Sequence, residues 1–213
     1  MINVITIERE YGAGGGRIAR MLAERLGWSL WDHEITAEIA GRLKCDVHSV
    51  EEREERLDPT YYRLLKVFMR GSYEASFSGS NVELLDADGL FRLFQSVVKE
   101  IAERGNCVIV GRGGSYYLRD YKNVLRVFIY APPEHKIRRL MARGKSQEEA
   151  EELVATVDEE RAAFVKKYHA KTWPLRELYH FMMNSQVGDE IVLKMILTEM
   201  DLLKGKLAVS ASR

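Results

Sequence analysis

The run Glu8-Arg9-Glu10-Tyr11-Gly12-Ala13-Gly14-Gly15-Gly16-Arg17 constrains this chain more than any other segment. It follows a short apolar stretch, residues 3–7, and leads into a stripe of Ile18, Leu22 and Leu26, spaced i, i+4, i+8 and stopped by Gly27. That is a strand, a tight turn and a helix. Four glycines within five residues let main-chain N–H groups converge with no Cβ atoms in the way. The partial positive charge of a helix amino end adds to them, so the turn suits an anion, phosphate above all. Arg17, in the first helical turn, can fork onto phosphate oxygens. A merely connecting turn is the poorer account, because so much glycine carries an entropic cost that a connector does not need.

Two phosphate-binding patterns compete for this turn. In the P-loop, G-x-x-x-x-G-K-S/T, Arg9 falls at the first glycine when Gly14 takes the second; Gly15 then stands at the lysine, and no Ser or Thr follows. The dinucleotide fingerprint G-x-G-x-x-G/A takes Gly14, Gly16 and Ala19, with Asp32 as its acid, somewhat early for that role. The rest of the chain decides between them.

Short runs rich in Val, Ile and Phe predict strands over residues 3–7, 29–31, 107–110, 124–130 and 181–183. Their lack of alternation suits parallel strands covered on both faces. Helical periodicity fills the gaps: 16–26, 88–104, a helix opened by Pro132 and Pro133 and running to 143, and one running from a Ser146/Glu149 capping box toward Lys167. A second capping box, Ser49 with Glu52, opens a helix that ends before Pro59; a last helix covers 188–203, with a frayed tail over 204–213. The expected fold is a three-layer α/β/α sandwich with a mainly parallel sheet. At 213 residues and 46% apolar content it is one domain, 1–213. A helical insert over about 45–83, which has no convincing strand, flanks the ligand edge.

Composition narrows the function classes. Thirty-two basic and 32 acidic residues cancel, which argues against a nucleic-acid or membrane-surface binder acting through bulk charge. Cys45 and Cys107 are too few for a disulfide framework and have no zinc spacing, so both read as thiols in a reducing cytosol. No run nears the ~18 apolar residues of a membrane span, and Glu8 and Glu10 come too early for a signal peptide. The expectation is a soluble, cytoplasmic protein. His33, His48, His135, His169 and His180 show no metal-ligand spacing and read as surface or capping residues; no metal-ligating residue is assigned. Trp173, Tyr61-Tyr62 and Tyr116-Tyr117 read as packing.

Phosphoryl transfer needs several cations around the transferred group, and hydride transfer far fewer. Arg112, in Val110-Gly111-Arg112-Gly113-Gly114, sits just past the carboxyl end of a buried strand, where open α/β sheets bind ligands. Arg139 and Arg143 are four apart on one helix face; Asp158 and Arg161 follow on the next helix, across the Gly144 turn. Such a pair of helices, about 134–170, makes a lid that closes cations over a phosphate chain and excludes water.

In this order, Arg9-Glu10-Tyr11-Gly12-Ala13-Gly14-Gly15, Leu30-Trp31-Asp32, Cys107 to Gly113, Val127 to Ala131, Asp158-Glu159-Glu160-Arg161, Lys171-Thr172-Trp173 and Asn184-Ser185 resemble the cytidylate kinase-like family, nucleoside monophosphate kinases of P-loop fold. The resemblance implies transfer of the γ-phosphoryl group of ATP, with Mg²⁺, to a nucleoside monophosphate, CMP or a related pyrimidine nucleotide. It implies that Gly12, Ala13, Gly14, Gly15, Gly16 and Arg17 hold the donor phosphates. Asp32 and Arg112 then serve the acceptor, Arg139, Arg143 and Arg161 are lid cations, and Asp158 orients them. Against the pattern, the P-loop lysine and hydroxyl are absent, Val157 stands where an arginine precedes the lid aspartate, Gly113 replaces an aspartate, and His180 stands in place of an aspartate. Two rivals follow: a degenerate relative that binds nucleotide without turnover, and an NAD(P)-dependent oxidoreductase resting on the fingerprint.

Overall fold

The structure, a computed structural model, describes residues 1–32, 34, 35, 38 and 87–211. Expectations for 45–83, with Cys45, His48, the Ser49 cap and Tyr61-Tyr62, and for His33, lie outside the described residues. In chain order the elements are β1 (Val4–Arg9), α1 (Gly15–Leu26), β2 (Ser29–Trp31), α2 (Ala87–Arg104), β3 (Cys107–Val110), α3 (Gly114–Tyr117), β4 (Val124–Tyr130), α4 (Pro133–Met141), α5 (Gln147–His169), β5 (Phe181–Asn184) and α6 (Asp189–Ala211). Short 3₁₀ turns, Arg176–Leu178 and Ser185–Val187, flank β5.

The five strands form one sheet in the order β2-β3-β1-β4-β5, every pairing parallel. Both faces are covered. Ile5, Ile7, Val108, Val110, Leu125 and Val127 pack against Ile18 and Leu22 of α1 and Val192, Leu193 and Ile196 of α6. The alternate residues Val4, Cys107, Ile109 and Val124 meet Val97, Val98 and Ile101 of α2. A third cluster joins Phe128 to Phe164 and Val165 of α5 and to Tyr116 and Tyr179. Each fully buried aliphatic side chain contributes roughly 1.5–3 kcal/mol, so the two-sided burial that erased alternation from the sequence also anchors the sheet.

Several boundaries differ from the sequence expectation, three of them instructively. β1 runs on to Arg9, because Glu8 and Arg9 pair with Phe128 and Ile129 of β4 and so extend the strand with charged residues. α4 stops at Met141, leaving Arg143 in the turn, where its N–H donates to the Leu140 carbonyl at 2.9 Å. The tail expected to fray continues α6 to Ala211, with no proline to stop it. Parallel register brings Arg9, Asp32, Gly111 and Arg112 to one edge, just past the carboxyl ends of β1, β2 and β3.

Candidate active site

Gly14 caps α1 in the left-handed region (φ 84°), and no side chain caps the helix there. Its carbonyl accepts from the N–H groups of Arg17 and Ile18 at 3.0 and 3.1 Å. A Cβ on Gly14 would collide with the Arg139 guanidinium, and one on Gly15 would stand 2.7 Å from Arg9 Cβ. Glycine is therefore demanded by close packing as well as by φ. Next to it, Ala13 is buried, and its carbonyl accepts from Ser185 Oγ at 2.6 Å. The turn is thus clamped from two sides. A cavity of about 690 Å³ opens on it, lined by Glu10, Tyr11, Gly12, Gly14, Gly15 and Gly16, and by the basic side chains of Arg9, Arg17, Arg20, Arg143, Lys145 and Arg161.

Behind the cavity wall lies a network of buried charge. Lys136 Nζ is 3.1 Å from Glu10 Oε2 and 3.4 Å from Asp158 Oδ2. Asp158 Oδ1 accepts from the Tyr11 N–H and from Arg161, both at 2.9 Å, and Arg161 also donates to the Arg9 carbonyl at 2.9 Å. The Arg161 guanidinium lies 5.9 Å from the Tyr11 ring centroid. Burial lowers the pKa of Arg161, and Arg9 adds to the effect. Asp158 orients Arg161, as expected from their i, i+3 spacing.

The neighbouring strands carry a second cluster. The Arg9 guanidinium passes over Gly111, where any Cβ would clash with it, and reaches Asp32 at 3.8 Å. Arg112 is buried, has φ 58°, and none of its guanidinium nitrogens has a hydrogen-bond partner among the described residues. Burial pulls its pKa down to about 10, opposed by the nearby Asp32 carboxylate, so it stays cationic at neutral pH. Glu8 is buried too, and desolvation raises its pKa against the pull of Arg9 and Arg161.

The residues singled out in the sequence divide into two groups. Gly12, Gly14, Gly15, Gly16, Arg17, Arg143 and Arg161 share the cavity, and Asp32 and Arg112 lie at the adjoining edge. Arg139 does not line the cavity. It forks onto Asp189 at 2.8 and 3.0 Å, and Asp189 also holds Arg17 Nε at 3.5 Å. Sequence reasoning quoted Glu8 and Ser185 without giving them a role, and passed over Lys136 and Asp189. Lys136 carried one usable signal, a lysine at the buried spacing of α4, four before Leu140.

Val157 is fully buried, so the chain has packed this position as core. His169, expected as a surface or capping residue, ends α5 and is partly buried: it stacks on Tyr116 at 4.3 Å, and burial first, Arg119 second, lowers its pKa from 6.5 to about 4. His180 accepts from the Arg126 N–H at 2.9 Å. Burial pushes the Cys107 thiol up to about 12, leaving it inert. Among the described residues no group of three or more His, Cys, Asp or Glu could hold a metal ion. No helix among the described residues is long and apolar enough to cross a membrane.

The strand order also decides between the two loop patterns. In the dinucleotide fold the acid-bearing second strand adjoins β1; here β3 intervenes, which removes the fingerprint reading of Gly14, Gly16, Ala19 and Asp32. A five-stranded parallel sheet in this order, with helices on both faces and a glycine turn after β1, is the α/β fold of P-loop kinases. The chain belongs to the cytidylate kinase-like family, whose model matches residues 4–187. No curated protein matches the sequence. Among solved structures it is similar to an uncharacterized protein from Eubacterium ventriosum, at 22% identity and TM-score 0.66, covering 94% of this chain and 99% of that one. It is also similar to shikimate kinase from Bacteroides thetaiotaomicron, at 17% identity and TM-score 0.53, over 94% and 99% of the two chains. Shikimate kinase from Acinetobacter baumannii, in complex with shikimate, is similar at 18% identity and TM-score 0.50, over 93% and 95%.

Proposed function

We propose that this chain transfers the γ-phosphoryl group of ATP to a nucleoside monophosphate, with CMP or a related pyrimidine nucleotide as acceptor. The observation that carries the reading is the cavity at the amino end of α1, where uncapped glycine amides face the same space as Arg17, Arg143 and Arg161. The acceptor class rests on membership of the cytidylate kinase-like family. In this reading the amides of Gly12, Gly14, Gly15 and Gly16, with Arg17, hold the donor phosphates, and Ala13, whose N–H donates to the Glu10 carbonyl at 3.3 Å, shapes the turn. An oxygen of the acceptor phosphate attacks the γ-phosphorus, the bridging bond to the β-phosphate breaks, and ADP leaves. Arg143 and Arg161 spread the charge that develops on the γ-oxygens. Arg112 takes the acceptor phosphate: its buried guanidinium, without a hydrogen-bond partner among the described residues, suits a dianion, with Asp32 beside it. Residues 134–170 act as the lid, and Arg139 joins its cations only by exchanging Asp189 for phosphate. Any Mg²⁺ arrives on the nucleotide, and no step is assigned to it. The protein acts in the cytoplasm as a single kinase domain.

A second reading, nucleotide binding without turnover, draws support from Gly15 and Gly16 standing where a P-loop has its lysine and hydroxyl. A coupled ADP-release assay across CMP, UMP, AMP and dCMP separates the two. Acceptor-dependent turnover is expected. ATP binding by calorimetry with no acceptor raising ADP release would favour the sensor.

A further inference from the structure

Lys136 is the cation that neither phosphate pattern anticipated. Its side chain is 8% exposed and it does not line the cavity, yet it bridges two carboxylates that shape it. Glu10 Oε2 also accepts from the Ala131 N–H at 3.3 Å, and Asp158 holds both the Tyr11 N–H and Arg161. Burying an ammonium is costly unless it is paired and hydrogen-bonded, and here two partners meet that requirement. Glu10, Asp158, Lys136 and Arg161 together sum to zero charge. Lys136 also packs its Cβ and carbonyl against Gly12, with 3.0 and 3.3 Å left for a Cβ there. Its main chain thus braces the turn while its side chain ties α4 to α5.

We infer that Lys136 is a positioning residue: it locks the Glu10-Tyr11 entry of the glycine turn to α5 and holds Arg161 at the cavity wall. Without it, Glu10, Asp158 and Arg161 together would carry one uncompensated negative charge beside the incoming polyphosphate. The consequence for nucleotide affinity rests on the phosphate-binding reading; the bridge itself does not.

Two measurements on the full chain test it. Amide hydrogen exchange in the nucleotide-free protein reports the Tyr11 N–H bond to Asp158. Lys136→Met is expected to lower Tyr11 protection by about tenfold or more, the scale of a lost charge-assisted bond, and Lys136→Arg to preserve it. Calorimetry with ATP is expected to show a matching loss of affinity in Lys136→Met. Partial recovery is expected on adding Glu10→Gln, which restores the neutral sum. Unchanged Tyr11 protection in folded Lys136→Met overturns the inference, and a double variant as weak as the single one overturns its charge component. If the wild-type protein binds no ATP while Tyr11 protection still collapses in Lys136→Met, the bridge stands and the phosphate-binding reading fails. Should Lys136→Met not fold, Lys136→Gln and Asp158→Asn report the same amide, and full protection in both sinks the proposal.

Discussion

Arg112 carries two penalties at once, a left-handed backbone (φ 58°) and a buried guanidinium without hydrogen bonds among the described residues. Strain of this kind persists where function demands it. Because burial lowers its pKa, the folded state holds the charged form less well than the unfolded chain does, and the charge works against folding. Arg112→Met is therefore expected to stabilise the protein by about 1–3 kcal/mol in urea unfolding, while raising KM for the monophosphate and leaving ATP affinity near normal. A loss of stability with an unchanged KM would make Arg112 structural. His169 gives a pH signature of the same sign, but in a range that unfolding experiments reach. Its pKa falls from 6.5 to about 4 on folding, so between those values the unfolded chain binds the extra proton. Its contribution is fully present above pH 6.5 and is lost as pH falls toward 4. His169→Phe, which keeps a ring against Tyr116, is expected to flatten that part of the stability profile relative to wild type. Parallel profiles for the two proteins would place the acid sensitivity elsewhere.

At the scale of elements, α5 is the piece whose start the sequence wrote most plainly. Ser146 Oγ accepts from the Glu149 N–H at 3.1 Å, as the capping box requires. Ser146→Ala is expected to cost about 1 kcal/mol, read as a lower urea midpoint with unchanged slope. β3, β4 and β2 were legible to the residue, because an uninterrupted run of Val, Ile and Phe has few other uses in a chain that also shows helical spacing. β1 was legible except at its end, where pairing with β4 rather than hydrophobicity decides that Glu8 and Arg9 are strand. The glycine turn and the pairing of Asp158 with Arg161 on α5 could be read because their spacing is local. The pairings of Lys136 and Asp189 could not: their partners lie 22 to 126 residues away, and the spacing of Lys136 with Leu140 signals burial but not which carboxylates it meets. Arg139 shows the converse error, for its spacing with Arg143 predicted a shared face but not the carboxylate that claims it.

For the molecule as a whole, zero net charge and a cavity lined by six basic side chains and one carboxylate, Glu10, mean that positive charge has been gathered locally rather than spread. That concentration sets what ligand the fold answers to and how the answer depends on conditions. A ligand bound only by the native state adds about 2.7 kcal/mol of stability at a hundredfold excess over Kd. ATP at that excess is expected to raise the unfolding midpoint accordingly, and NAD(H) to leave it unmoved, since β3 separates Asp32 from the loop strand. If guanidinium groups and amides supply the phosphate contacts, as proposed, the ATP effect should survive chelation of Mg²⁺ by EDTA; among the described residues no group of three or more His, Cys, Asp or Glu could hold a metal ion. It should instead weaken with added salt, as ionic contacts at a partly open cavity are screened over about 8–10 Å near physiological ionic strength. Isothermal titration in EDTA and in Mg²⁺, each at two salt concentrations, reads both dependences. Binding that vanishes in EDTA would transfer the charge neutralisation from Arg17, Arg143 and Arg161 to the metal, whereas binding that vanishes only in salt assigns it to them.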